Sequence, residues 1–259
     1  MYDNVLLNIE ERIAELTINR PKALNALNIA TLRDIKAAVG EVRDNDEVDL
    51  LIITGAGNKA FVAGADITSM INMTAMEARA FGMLGGEVTN LIEDMSKPVI
   101  ASIDGFCLGG GCELAMACDF RICSDKSKFG QPEVGLGVTP GFGGTQRLPR
   151  LVGTGMAKQL LYTGEVINAE EALRIGLVNQ IVFGDRLKAE VLKIAQMIVN
   201  RGQLAVRFCK DAVNSGMQVD ITRAMSIEAD IFGLCFATND QKEGMQAFIE
   251  KRKAHFLGK

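Results

Sequence analysis

Tryptophan is absent from this chain of 259 residues, tyrosine occurs twice and histidine once. Each scarcity removes a class of chemistry. Aromatic residues make up 5%, and Lys+Arg 28 against Asp+Glu 32 leaves a net charge of −4. That balance is a poor start for nucleic-acid binding, which draws on a basic footprint and stacking aromatics, although net charge leaves room for a local basic patch. The lone histidine, His255 in the KRKAHF tail, excludes HExxH zinc chemistry and ties any Ser-His-Asp or Cys-His reading to that tail. Neither GxxxxGK[ST] nor a strict GxGxxG occurs, so the common phosphate-cradling loops are absent. Cys107, Cys112, Cys118, Cys123, Cys209 and Cys235 form no CxxC pair, which fits the reduced thiols of a cytoplasmic protein. No apolar run reaches the length of a membrane span. The first residues, MYDNVLLNIEERIAELTINRP, carry Asp3, Glu10 and Glu11 in place of a signal peptide's charged-then-apolar order. Five prolines and no biased tract leave little room for linkers or disorder. Carboxylates and backbone amides remain to do chemistry.

What is present reads as α/β. Hydrophobic residues make up 48% of the chain, enough for a large core. Residues 5–10 and 13–19 are expected to pair as strands around Glu11-Arg12. The β-branched runs at 49–54 and 97–103 suit buried strands, as do shorter ones at 120–124 and 178–182. Helical spacing recurs at 29–43, 74–95, 112–118 and 154–163. After about residue 184 the pattern becomes helix upon helix, with Asp220 and Asp240 as expected N-caps and Gly202 and Gly216 as breaks. Phe232, Phe236, Phe248 and Phe256 make this last part greasy, through packing on the core or through an oligomer interface. Met70, Met73, Met76 and Met83 read as a helical core stripe, with an adaptable wall for a ligand as the alternative.

Three segments carry candidate chemistry. In LGGGCELAMACD (108–119), three glycines run into a helix, leaving unpaired N–H groups where the helix dipole favours negative charge. In FVAGADI (61–67), Ala63, Gly64 and Ala65 expose backbone amides in the same manner. If both turns face one cleft, the amides of Ala65 and Gly110 can grip one developing oxyanion. The third segment is FGQPEVGLGVTPGFGGTQRL (129–148), where Gly141 and its neighbouring glycines keep the chain slim. Glu113 and Glu133 each sit in Gly-rich, otherwise uncharged surroundings that would raise a carboxyl pKa. Such a pair can divide acid and base work.

Together these blocks, with PVIASIDGFCLGGGCELAMACDFRI, NRPKALNAL and KEGMQAFIEKRK, resemble the enoyl-CoA hydratase/isomerase (crotonase) superfamily from about residue 5 to 256. Asp104 and Cys107 depart from the asparagine and alanine frequent in relatives. The resemblance implies a spiral of ββα units over residues 1–195, carrying substrate binding and catalysis. A helical trimerisation region over 196–259 would follow, giving a homotrimer or a dimer of trimers. It implies water addition to a short trans-2-enoyl-CoA, forming the (3S)-3-hydroxyacyl-CoA, with no metal or further cofactor because coenzyme A enters with the substrate. Glu113 is the expected base and Glu133 the expected acid, with Ala65 and Gly110 as oxyanion-hole amides. Lys22, Ala23, Leu24, Ala63, Ala65, Asp66, Ile67, Gly110 and Gly141 are expected along the acyl-CoA. Phe232 and Lys251 are expected beside the site of a neighbouring subunit. The alternatives are a double-bond isomerase of the same superfamily and a non-catalytic acyl-CoA- or RNA-binding relative.

Overall fold

The computed structural model describes residues 2–258. Residues 1 and 259, the outer ends of the two expected regions, lie outside that range. In chain order the elements are β1 (Val5–Glu10), β2 (Ile13–Ile18), α1 (Ile29–Asp44), β3 (Leu50–Gly55), β4 (Ala60–Val62), α2 (Ile67–Met70) and α3 (Ala75–Glu93). Then come β5 (Val99–Ile103), β6 (Phe106–Leu108), α4 (Gly110–Ala117), β7 (Phe120–Ser124), β8 (Lys128–Gly130), α5 (Gly144–Val152) and α6 (Thr154–Thr163). The chain finishes with β9 (Ile167–Asn168), α7 (Ala169–Arg174), β10 (Gln180–Val182), α8 (Leu187–Val199), α9 (Gln203–Gly216), α10 (Ile221–Cys235) and α11 (Asn239–Ile249).

Two sheets organise the first two thirds. The larger runs β1-β2-β3-β5-β7-β10 and the smaller β4-β6-β8-β9. From β3 onward the chain repeatedly places one strand in the large sheet, the next in the small sheet, and then a helix. That alternation is the expected ββα spiral. The β1–β2 hairpin closes through Glu11 and Arg12, with φ of 48° and 68°, a two-residue turn whose twist matches antiparallel strands. The remaining pairs of the large sheet are parallel. Accordingly β5 is buried throughout, and β3 over its first four residues, as parallel strands covered on both faces require.

One face of that sheet packs Ile13, Leu50, Ile52, Ile100 and Ile122 against Leu187, Val191 and Ala195 of α8. The main core on the other side takes in α1, α3 and α4. Asn28 caps α1 by accepting the Thr31 N–H, and Thr74 with Glu77 forms a capping box on α3. Beyond α8, α9 is fastened to the core by Arg207 to Asp49 at 3.2 Å and Lys210 to Asp119 at 3.0 Å.

Several expectations are corrected. Asp240 is not an N-cap. Thr238 caps α11, while Asp240 is buried and accepts the N–H groups of Leu257 and Gly258 at 2.7 and 2.9 Å, holding the chain's last turn. Of the four methionines, Met70 and Met73 pack against the core, but Met76 and Met83 are exposed. Of the four phenylalanines, only Phe256 is tucked in, against Gly202 and Gly244. Phe232, Phe236 and Phe248 face solvent, and α10 buries no residue in the single chain.

Candidate active site

The two small-residue turns meet. A Cβ on Gly109 would lie 3.7 Å from the Gly64 Cα, and one on Gly111 would overlap the Val62 carbonyl oxygen at 2.1 Å. A side chain at Gly111 would force the loops apart. Gly109 also adopts φ 50°, ψ −126°, a region open to glycine and strained for other residues. Its residue therefore turns the chain from β6 into α4, and the helix begins at Gly110 rather than after the glycine run.

Each turn supplies an amide with no protein acceptor among the described residues. Ala65 bridges to Leu27 through its neighbours: Gly64 accepts the Leu27 N–H at 2.9 Å and Asp66 donates to the Leu27 carbonyl at 2.8 Å. Strand alternation then points the Ala65 N–H to the opposite side. Gly110 opens α4, where first-turn N–H groups lack helical acceptors. The Gly109 carbonyl, at the other end of the same planar peptide, accepts from the Glu113 amide at 3.0 Å and from the buried Gln131 Nε2 at 3.2 Å. Holding that oxygen aims the Gly110 N–H the other way.

Glu113 sits in the first turn of α4 and is 2% exposed. Its Oε1 accepts the Phe142 N–H at 2.8 Å and the Gly144 N–H at 2.6 Å. Burial raises its pKa, opposed by the amides of Gly144, Phe142 and Gly141 and then by the Arg147 cation. This cradle is itself braced. The Phe142 carbonyl accepts from Thr89 Oγ1 at 2.9 Å and from Arg147 Nη1 at 3.2 Å, and Arg147 Nε also donates to Glu93 at 2.9 Å.

Glu133 lies in a 3-10 turn over Pro132–Leu136 that Gly137 ends in the left-handed region. Its Oε1 is 2.9 Å from where a Gly109 Cβ would be, and its buried Oε2 has no partner. Desolvation, opposed by its own backbone N–H and reinforced by the Glu113 charge, pushes its carboxyl up to about 7. The two acids are thus supported differently. Amides and a cation favour the anion of Glu113, whereas little favours that of Glu133. Two carboxyls supported so differently can divide the taking and the giving of a proton.

Of the expected site residues, Ala63, Ala65, Gly110, Glu113, Glu133 and Gly141 gather at this centre. Lys22 and Ala23 belong to a 3-10 turn (Pro21–Ala23) followed by Leu24 at φ 50°, and the Leu24 carbonyl accepts the Ala63 N–H at 3.1 Å. Lys22, Leu24 and Lys59 line a recess of about 290 Å³ on that flank. Asp66 is engaged with Thr68 and Arg20, which hold its carboxyl below the ordinary value, and Ile67 is exposed. Phe232 on α10 and Lys251 after α11 are not brought to this centre within one chain.

Gln131, Phe142, Arg147, Thr89 and Lys59 escaped the reading of the sequence, and Gly144 entered it only as one of the glycines that keep the chain slim. Gln131 and Arg147 flank the glutamate-glycine segment and carry some signal. Thr89 carries none, being one residue of a long helix.

Comparison with known proteins points to one family. The enoyl-CoA hydratase/isomerase family profile matches residues 8–259. The chain is 68% identical to the crotonyl-CoA hydratase of Syntrophomonas wolfei, across 100% of this chain and 99% of that protein. It is 56% identical to the short-chain-enoyl-CoA hydratase of Clostridium acetobutylicum, across 97% and 96%. The crystal structure of an enoyl-CoA hydratase from Bacillus anthracis superposes with a TM-score of 0.96 at 37% identity, across 99% and 100%.

Proposed function

This chain belongs to the enoyl-CoA hydratase/isomerase family, and we propose that it adds water reversibly to short trans-2-enoyl thioesters of coenzyme A, giving the (3S)-3-hydroxyacyl-CoA. It is a short-chain enoyl-CoA hydratase, a hydro-lyase. The observation that carries this reading is a pair of buried or half-buried carboxyls with opposite support, set beside two unpaired amides.

The thioester oxygen takes the N–H groups of Ala65 and Gly110, which stabilise the enolate-like charge as it forms. One such donor is worth about 3 kcal/mol in the transition state. A water held between the glutamates loses a proton to Glu113 and attacks C3, while Glu133 delivers a proton to C2. Passage of one proton from Glu113 to Glu133 restores the pair, so H and OH are added with nothing left over. Dehydration runs the same steps backwards. No step draws on a metal or a further cofactor. Lys22 on the open flank offers a cation to the anionic carrier, with Ala23, Leu24, Ala63, Asp66 and Ile67 along its path.

The C-terminal helices, taken as residues 196–259 against a core of 1–195, assemble the chain into a trimer or a dimer of trimers. In that assembly Phe232 and Lys251 reach the acyl-CoA of a neighbouring copy. The absence of any buried residue on α10 supports this. No helix among the described residues is long and apolar enough to cross a membrane. The buried free thiols of Cys107, Cys112, Cys118 and Cys123 suit the cytoplasm.

The test is crotonyl-CoA hydration by the purified protein, followed as loss of the conjugated thioester absorbance. Conversion of a 3-enoyl thioester in place of hydration would overturn the proposal.

A further inference from the structure

The two flanks of the reaction centre differ in kind. Toward Leu24 and Ala63 the surface is open, and the proposed function sends coenzyme A that way. On the other side stands the ring of Phe142, which is 4% exposed. Its Cε2 lies 3.0 Å from where a Cβ on Gly110 would be, and its Cδ1 2.0 Å from where one on Gly85 would be. The ring is therefore wedged between α4 and α3, and Gly85 has room only for hydrogen. Phe81, one turn before Gly85, closes behind it edge-on, with ring centroids 5.2 Å apart at 74°. Beyond Phe81 lies an open surface groove of about 660 Å³, where Ile29, Met73, Met83 and Leu84 are edged by the charged Arg33, Glu77 and Glu87.

Building on the hydratase reading, we infer that Phe142, backed by Phe81, is the residue that stops the acyl chain and confines the enzyme to short substrates. The oxygen of the thioester sits on the Gly110 amide and C2–C3 sits beside Glu113. The Phe142 N–H holds Glu113 and its ring abuts Gly110, so carbons beyond C4 run into that ring. It does not step aside easily. Glycines seat it on both helices, and its carbonyl is pinned by Thr89 and Arg147. A chain of four carbons ends before it, whereas a longer one must displace a packed aromatic pair. With the ring removed, the space opens toward this groove, whose Met73 and Leu84 offer an adaptable apolar wall to a guest. Each methylene that enters it is worth about fourfold in affinity.

The experiment measures kcat/KM for trans-2-enoyl-CoAs of rising length, from C4 to C10, with the wild type, Phe142→Ala and Phe81→Ala. The C8:C4 ratio is the readout, because the overall rate also senses the Phe142 amide on Glu113. The wild type should lose at least about tenfold from C4 to C8. Phe142→Ala should raise the ratio by at least about tenfold, and Phe81→Ala by less, since it removes only the backing. If Phe142→Ala fails to fold, Phe81→Ala decides alone, because it leaves the 139–144 loop unchanged. An unaltered ratio in variants that still hydrate crotonyl-CoA, or a wild type that handles C8 as well as C4, overturns the assignment and leaves the hydratase reading intact. A wild type that hydrates no chain length overturns the hydratase reading, and this inference with it.

Discussion

Replacing Glu133 by glutamine should disable the enzyme and, above neutral pH, make it more stable. The carboxyl is pushed from the ordinary 4.5 to about 7 by desolvation, with the charge of Glu113 adding to the rise. A carboxyl with a raised folded-state pKa binds its proton more tightly in the native chain than in the unfolded one. Stability therefore falls as pH climbs from the unfolded pKa through the folded one. The full shift corresponds to about 3 kcal/mol, which solvent access to this half-buried group reduces to about 2 kcal/mol. Glutamine keeps the shape and has no proton to lose. Urea unfolding of both proteins should show similar stabilities near about pH 3.5, below the unfolded pKa, and a gap of about 2 kcal/mol in favour of Glu133→Gln near about pH 8. Hydration of crotonyl-CoA by the same variant should fall by about 10²–10⁴. A stability gap that stays constant with pH would refute the electrostatic account of Glu133. Near-normal hydration would refute its role as the proton donor.

Two further perturbations probe the supports. Arg147→Gln removes the cation that favours ionised Glu113, along with one donor to the Phe142 carbonyl. The low-pH limb of kcat/KM should then move to higher pH and Arg147→Lys should restore it, whereas an unmoved limb would assign Arg147 to packing alone. The groups bearing on that limb are Arg147 from α5, itself paired with Glu93 of α3, and Glu133 from the 3-10 turn. Gly109→Ala places a Cβ 2.9 Å from Glu133 Oε1 in a backbone conformation unfit for alanine. It should cost about 1–3 kcal/mol and most of the activity, measured as Tm and crotonyl-CoA turnover, and a variant with unchanged Tm would show that Gly109 is not strained.

The strands and helices that the sequence reveals are those long enough to show a period. The hairpin, the buried runs of β3 and β5, and the longer helices were legible, whereas the short α5 and α7 were not read. By contrast β4, β6 and β8, three residues each, escaped, because so short a run has little alternation to read and these lie against glycine-rich turns, whereas β10 of the same length ends a longer, mostly apolar stretch. These are the strands that make the second sheet and deliver Ala65, Gly110 and Glu133 to one place. Asp240 misled for a related reason. An aspartate before a helical run resembles a cap, and only the fold brings Leu257 and Gly258 to its oxygens.

The amino-acid order alone narrowed which groups could do chemistry. With one histidine and no nucleotide or metal-binding motif, two glutamates in glycine-rich surroundings and the amides of two glycine-rich turns stood out as candidates, and the resemblance to a known family gave them expected roles. Tertiary structure decided how those groups act. Residues far apart in the chain meet only once the second sheet forms. Desolvation and facing amides, which set the proton affinity of each glutamate, are properties of that assembled space. The same holds for the ring of Phe142: its identity is written in the chain, but its place between two helices is a matter of packing.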